Sequence, residues 1–183
     1  MTTEDVRLQA QIECGMQIND ITAYEWTKEA IKKIVNRYPR LGRLITETIK
    51  AEKHNAYALK EECLQMREVR FMSGRTPLSP NSMFDVMPDN TIKFKCSGEF
   101  EVSYYAMPNL RAGTFVKTSE IPLPSVFQDT LHYYLTYKQR SRSIGETDTE
   151  TMSSSARWED AIREANTFFS RRNRVRRRMP PSY

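Results

Sequence analysis

Between Thr91 and Tyr105 the side chains alternate with a period of two. Ile92, Phe94 and Cys96 interleave with Lys93 and Lys95, and beyond Ser97-Gly98 the residues Phe100, Val102 and Tyr104 alternate again. Only a pleated strand puts every second side chain on one face, so this stretch cannot be helical. Ser97-Gly98 between two such runs predicts a hairpin with a two-residue turn. Pro88-Asp89-Asn90 marks a second turn just upstream, which makes Met83 to Met87 a candidate third strand. Leu44 to Ile49 and Met66 to Met72 also read as strands, with Val69 and Phe71 on one face and Glu68 and Arg70 on the other. Ser73 to Ser82 contains Gly74, Pro77 and Pro80 and reads as a loop or extended arm; Pro108 closes the β region, and Asn109 to Ser119 reads as a connection.

On both sides of this region the period changes to that of a helix. Residues 3–14 predict a short amphipathic helix with Asp5 in its first turn and Gly15 at its end. Thr22 with Glu25 reads as a capping box for a helix over 22–38, whose stripe is Trp26, Ala30, Ile31, Ile34, Val35 and Tyr38, with Pro39 as the stop. Pro122 and Pro124 hold an extended lead-in to a helix over 125–140. There Ser125 and Gln128 repeat the cap pattern, and Phe127, Leu131, Tyr134 and Leu135 form the stripe. Ser141 to Ser155 is rich in Ser, Thr and acid and reads as an exposed linker. A last helix over 155–170 carries Trp158, Ala161, Ile162, Ala165, Phe168 and Phe169, a stripe that Val175 and Met179 roughly continue; Trp26 and Trp158 are expected where the second and last helices meet.

The order is helices, strands, helices, without βαβ alternation. It predicts an α+β fold over 1–170 in which terminal helices bundle together around a small antiparallel β meander at 44–108, followed by an extended basic C-terminal arm at 171–183. An all-helical bundle with an inserted β arm is the alternative.

The formal charge of +5 first suggests a nucleic-acid binder, but Arg171, Arg172, Arg174, Arg176, Arg177 and Arg178 account for more than all of it. Without those six the rest of the chain stands at −1, so the basic character belongs to one terminus. At 39% hydrophobic and 10% aromatic, the chain has the material for a core. No apolar run approaches the ~18 residues of a membrane span, and Glu4 and Asp5 near the start are unlike a secretion signal. Cys14, Cys63 and Cys96 are odd in number and far apart, which argues against a disulfide framework and for synthesis in a reducing compartment.

Reactive constellations are sparse. His54 and His132 are the only histidines, there is no paired-cysteine zinc spacing, and there is no phosphate-cradling glycine loop or nucleophile elbow. Asp129 and His132 share a helical face at i and i+3, but metal sites of that geometry need a second copy of the motif, so a polar helix edge is the preferred reading. Gly42 reads as a turn residue. The expectation is a protein without catalysis, metal or cofactor. The basic terminus is the segment with chemical character. Arg171, Arg172, Arg174, Val175, Arg176, Arg177, Arg178, Met179 and Tyr183 mix guanidinium groups with apolar and aromatic side chains, which suits docking on a protein better than plain phosphate binding. Tyr133 and Tyr137, with Lys138, Arg140 and Arg142 beside the acidic run Glu146 to Glu150, are candidates for a subunit interface.

Taken together, several segments carry a resemblance. An N-terminal helical pair, Ala56-Tyr57-Ala58-Leu59 before Met66 to Phe71, a meander ending in Tyr104 to Pro108, the run Ile121 to Leu135 with its proline-led "P, x, x, F, x, D, x, L" helix, and Trp158 to Phe169 resemble the head-to-tail adaptor, or connector ring, proteins of tailed bacteriophages, especially short-tailed ones. The resemblance implies a structural subunit of a homo-oligomeric ring, usually a dodecamer, made in the host cytoplasm and placed in the neck or tail of the virion. Its partners would be the portal protein above and a downstream tail or ring protein below, with DNA in the channel as a further contact. It also implies that Arg171 to Tyr183 reaches the portal, and that the loop Ser73 to Ser82 or the Ser97-Gly98 turn faces tail or lumen. The density of Arg departs from the usual pattern and keeps packaged DNA as the alternative target.

Overall fold

A computed structural model of the chain describes residues 1–74, 76–111 and 115–178, with side chains as far as Arg171. It is α+β, and it divides into two compact units: Met1–Ile34 with Asn109–Tyr183, and Val35–Pro108.

The first unit is helical and combines the two ends of the chain. Helix α1 (Thr3–Cys14) starts at a capping box in which Thr2 and Asp5 bond reciprocally, and Gly15 ends it at φ 68, a left-handed position that glycine adopts without strain. Helix α2 (Asp20–Arg37) begins two residues before the Thr22 expectation. Asn19 lies just outside it, its Oδ1 accepting the Ile21 N–H at 2.9 Å, so the side chain that caps the first turn is Asn19. Ala23, Ala30, Ile31 and Ile34 are buried along α2, whereas Trp26 is only half-buried. The expected helix 125–140 is divided into α3 (Ser125–Gln128) and α4 (Leu131–Ile144). Gln128 does not close a capping box; its amide reaches back to the carbonyls of Ile121 and Leu123 and pins the proline lead-in.

Helix α5 (Thr149–Arg178) overturns two expectations at once. Ser141 to Ser155 is not a linker: α4 continues to Ile144, Gly145 turns at φ 99, and Asp148 Oδ1 accepts the Glu150 N–H to open α5. The small residues Thr151 and Ser154 are buried, and Ser154 Oγ accepts from Arg140 Nη1 at 2.7 Å. Small side chains allow close approach between helices, which a polarity count does not register. At the other end, residues 171–178 continue α5 as helix instead of forming an extended arm. Arg has high helix propensity, positive charge suits the C-terminal end of a helix dipole, and no breaker occurs before Pro180. Met179 and Tyr183 lie outside the described residues.

The second unit is a pair of three-stranded antiparallel sheets. Strands β1 (Arg43–Ala51), β6 (Gly98–Ala106) and β3 (Cys63–Phe71) form one in the order β1-β6-β3; β2 (Ala56–Ala58), β5 (Thr91–Phe94) and β4 (Phe84–Val86) form the other in the order β2-β5-β4. They share one core, including Ile49, Val69, Phe84, Ile92, Phe94, Phe100, Val102 and Tyr104. The predicted third strand and its turn exist as the β4–β5 hairpin. The predicted hairpin across Ser97-Gly98 does not, because β5 and β6 belong to different sheets. Their alternating apolar faces meet across the core instead of side by side, with Phe94 and Phe100 stacked at 4.1 Å between ring centroids. Gly98 opens β6, and a Cβ there would lie 2.9 Å from a ring carbon of Phe71.

Candidate interaction surfaces

On α1, Val6 and Ala10 are buried, and one turn apart on the opposite side Leu8 is 48% and Ile12 85% exposed. The helix is thus apolar on two faces, one of them open. Beside Ile12 lies an open cleft of about 410 Å³ lined by Gln9, Ile12, Glu13, Asp129 and His132. Two of those residues carry carboxylates, and none is Lys or Arg.

Glu13 is the hub of the cleft. Its Oε1 accepts from Arg157 Nη1 of α5 at 2.8 Å, and its Oε2 lies 3.4 Å from His132 Nε2 of α4. Neither Glu13 Oε2 nor His132 Nδ1, both buried, has a hydrogen-bond partner among the described residues. Burial pulls the His132 pKa below its ordinary value, against the opposing effects of Glu13 and Asp129, so the imidazole is neutral near pH 7. The Asp129–His132 pair noted in the sequence is therefore joined by Glu13, yet among the described residues no group of three or more His, Cys, Asp or Glu has the geometry to hold a metal ion.

Of the sequence-derived interface candidates, Tyr133, Tyr137, Lys138 and Arg140 are half-buried and Arg142 is exposed. Lys138 lies 3.4 Å from Glu29 of α2, and Arg140 bonds Ser154 and sits 3.9 Å from Glu150, so both cations have partners within their own bundle. Burial pushes the Glu29 carboxyl up, but the Tyr134 hydroxyl with Lys138 and Lys33 holds it below its usual value. Tyr133 lies under the Arg157 guanidinium at 5.3 Å, and Tyr137 packs near Tyr134. Of the arginine segment, Arg171 is exposed; the side chains of Arg172, Arg174, Val175, Arg176, Arg177 and Arg178 are beyond those described.

Along α5 the stripe can be followed as far as Phe169; Val175 and Met179, read from the sequence as its continuation, lie beyond the side chains described. Trp158, Ile162 and Ala165 face the core, and Phe169 packs on Phe127 at 5.9 Å. Phe168 is 56% exposed.

The second unit has a cleft of similar size, about 420 Å³, lined by Lys50, Ala51, Glu52, Tyr57, Gly98 and Glu99, with Lys50 and Glu99 3.8 Å apart across its strands. Its buried carboxylate, Glu47, is 7% exposed and faces Tyr104. Glu13, Arg157, Leu8, Ile12 and Glu47 were not singled out in the sequence. The i, i+4 pair Leu8 and Ile12, set against Val6 and Ala10, was the available signal for the first surface. Among the described residues, no helix is long and apolar enough to cross a membrane. Comparison with protein-family models and with curated proteins finds no match to either.

Proposed function

We propose that the chain is a structural virion protein: a subunit of a ring that joins the portal vertex to the tail and extends the DNA channel, without chemistry of its own. The observation that carries this reading is the number of large apolar side chains left open on the helical unit, among them the neighbouring Leu8 and Ile12 on α1, Ile21 on α2, and Met152 and Phe168 on α5. Apolar side chains grouped at the surface of a well-packed body are what inter-subunit contacts bury. The order of segments that resembles connector-ring proteins supports it, as does the helical, arginine-rich end of α5. The portal protein and a downstream tail protein are the partners this reading names. Electron microscopy of the purified full-length chain tests it: closed rings are expected, and monomers at every concentration would sink it.

The arginine-rich end of α5 favours a second reading, a nucleic-acid-binding protein that uses it as a phosphate clamp. Duplex affinity that falls steeply with rising salt, without ring formation, is the result expected on that reading alone.

A further inference from the structure

We propose that the free edge of β1 pairs antiparallel with the same edge of a second copy of this chain, about a two-fold axis at Ile45, so that two three-stranded sheets join into one. The contact goes beyond the ring reading and does not depend on it. A two-fold contact is self-complementary and pairs chains, whereas a ring is closed by a heterologous one.

A strand at the edge of a sheet presents a row of unpaired N–H and C=O groups, and proteins blunt such edges by shortness, bulges, covering segments or charge. Three of the four edges here are blunted. Strand β3 is irregular against β6 at Cys63/Gln65 and Met66/Glu68, and its outer side is covered where the Leu78 N–H donates to the Val69 carbonyl at 2.7 Å and Pro77 bridges to Arg70. Strands β2 and β4 have three residues each, and β4 is capped by the Asn81 N–H, which donates to the Phe84 carbonyl at 2.8 Å. Strand β1 is different. It runs nine residues without proline, pairs with β6 without a register shift, and among the described residues no hydrogen bond reaches its backbone from the other side.

The side chains of β1 select the occupant and its register. Ile45, Ile49 and Ala51 pack in the shared core and Glu47 is buried, so Arg43 lies on that same face by alternation; Leu44, Thr46, Thr48 and Lys50 are exposed on the other. Opposite residues of an antiparallel pair share a face. Glu47 set against Glu47 of a second copy would be repulsive, and Ile45 or Ile49 would leave the carboxylate against an apolar neighbour. Arg43 is the cation on its face, and placing Arg43 opposite Glu47 fixes everything else: Ile45 meets Ile45 on the axis, and the 44% exposed Leu44 meets Thr46, twice over. The paired stretch is 43–47. Lys50, whose side chain is 83% exposed, stays outside it and guards the rest of the edge. Five residues a side are far fewer than the about 20–30 of a stable interface, so the dimer is weak and concentration-dependent.

Cysteine cross-linking of the full-length chain with oxidised glutathione, read on non-reducing gels, tests the contact and its register together. Ile45→Cys sits on the axis and should give a linked dimer above the background that Cys14, Cys63 and Cys96 give in the wild type. Thr48→Cys lies outside the paired stretch and should not. Leu44→Lys replaces an exposed side chain, keeps the fold, and should weaken association in sedimentation velocity about tenfold, because the lost contact occurs twice. Linkage through Thr48→Cys instead of Ile45→Cys would overturn the register. No linkage from either, or Leu44→Lys associating like the wild type, would overturn a second copy as the occupant of this edge. Ring formation is read separately by electron microscopy, so either reading can fail while the other stands.

Discussion

Tyr104 and Tyr134 are the largest side chains with no exposure among the described residues, and the Tyr104 hydroxyl is placed by two partners. The Glu61 N–H donates to it at 3.1 Å, and the carboxylate of Glu47 faces it; burial and then that carboxylate push its pKa up to about 12. Glu47 Oε1 also accepts the Lys60 N–H at 3.3 Å, so one strand carboxylate ties down the segment between β2 and β3. Tyr104→Phe leaves the Glu61 N–H and Glu47 short of a partner, and urea denaturation should show a loss of about 1–3 kcal/mol. An unchanged midpoint would mean that water replaces the hydroxyl. His132 makes a pH-dependent prediction at the same scale. Its folded pKa lies below the unfolded value of about 6.5, so the unfolded chain binds the proton first as pH falls. The stability it contributes is therefore full above about pH 6.5 and is lost as pH drops from there toward its folded pKa. The groups around it are Glu13, Asp129, Arg157 and the Tyr133 ring. Melting of His132→Gln should show a flatter dependence between pH 7 and 5 than the wild type; parallel curves would remove His132 as the cause.

Among the elements, the strands show what a period can and cannot carry. Alternation at Ile92 and Phe94 and at Phe100, Val102 and Tyr104 identifies the buried face of each strand, and all five are fully buried. It does not name the neighbour, because two strands joined by two residues present the same pattern whether they pair edge to edge or face each other across a core. What decides is packing: the Phe94, Phe100 and Phe71 rings, at 4.1 and 4.7 Å between successive centroids, fill the space between sheets. Gly98 is small because the Phe71 ring lies against it. The helical ends were misjudged for the opposite reason. Ser, Thr and acid at 146–155 are polar by count, yet Thr151 and Ser154 are small enough to sit buried against α4, and polarity alone placed them in solvent. The cleft at Glu13 was harder still to see, since Glu13, His132 and Arg157 come from three helices and only the fold brings them together. If the aromatic stack is the joint between the sheets, Phe94→Ala should cost about 3–5 kcal/mol and lower the near-ultraviolet circular dichroism of the β unit. A loss below about 1 kcal/mol would show that the sheets close over the gap.

In the chain as a whole, the β unit is an insertion within a helical unit assembled from both termini. Its first and last strands pair along their full length, from Arg43 with Ala106 to Ala51 with Gly98, so the polypeptide enters and leaves the sheet at adjacent residues. The seam at this point is tight: a Cβ on Gly42 would fall 2.4 Å from the Ala106 carbonyl oxygen. Paired strand ends are about 5 Å apart, a gap that a short glycine linker spans, and insertions with adjacent ends are tolerated because each unit keeps its own core. Replacing 43–106 with such a linker should therefore leave a helical protein that melts cooperatively, and residues 35–108 alone should give dispersed amide resonances and β-type circular dichroism. The shortened chain also separates the two roles a ring subunit must divide. The exposed residues Leu8, Ile12 and Phe168, the cleft at Glu13 and the basic end of α5 all belong to the helical unit. It should consequently still assemble into rings while losing whatever contact the β unit makes with a neighbouring protein. A shortened chain that is folded but monomeric would move the subunit contact to the sheets and away from α1 and α5.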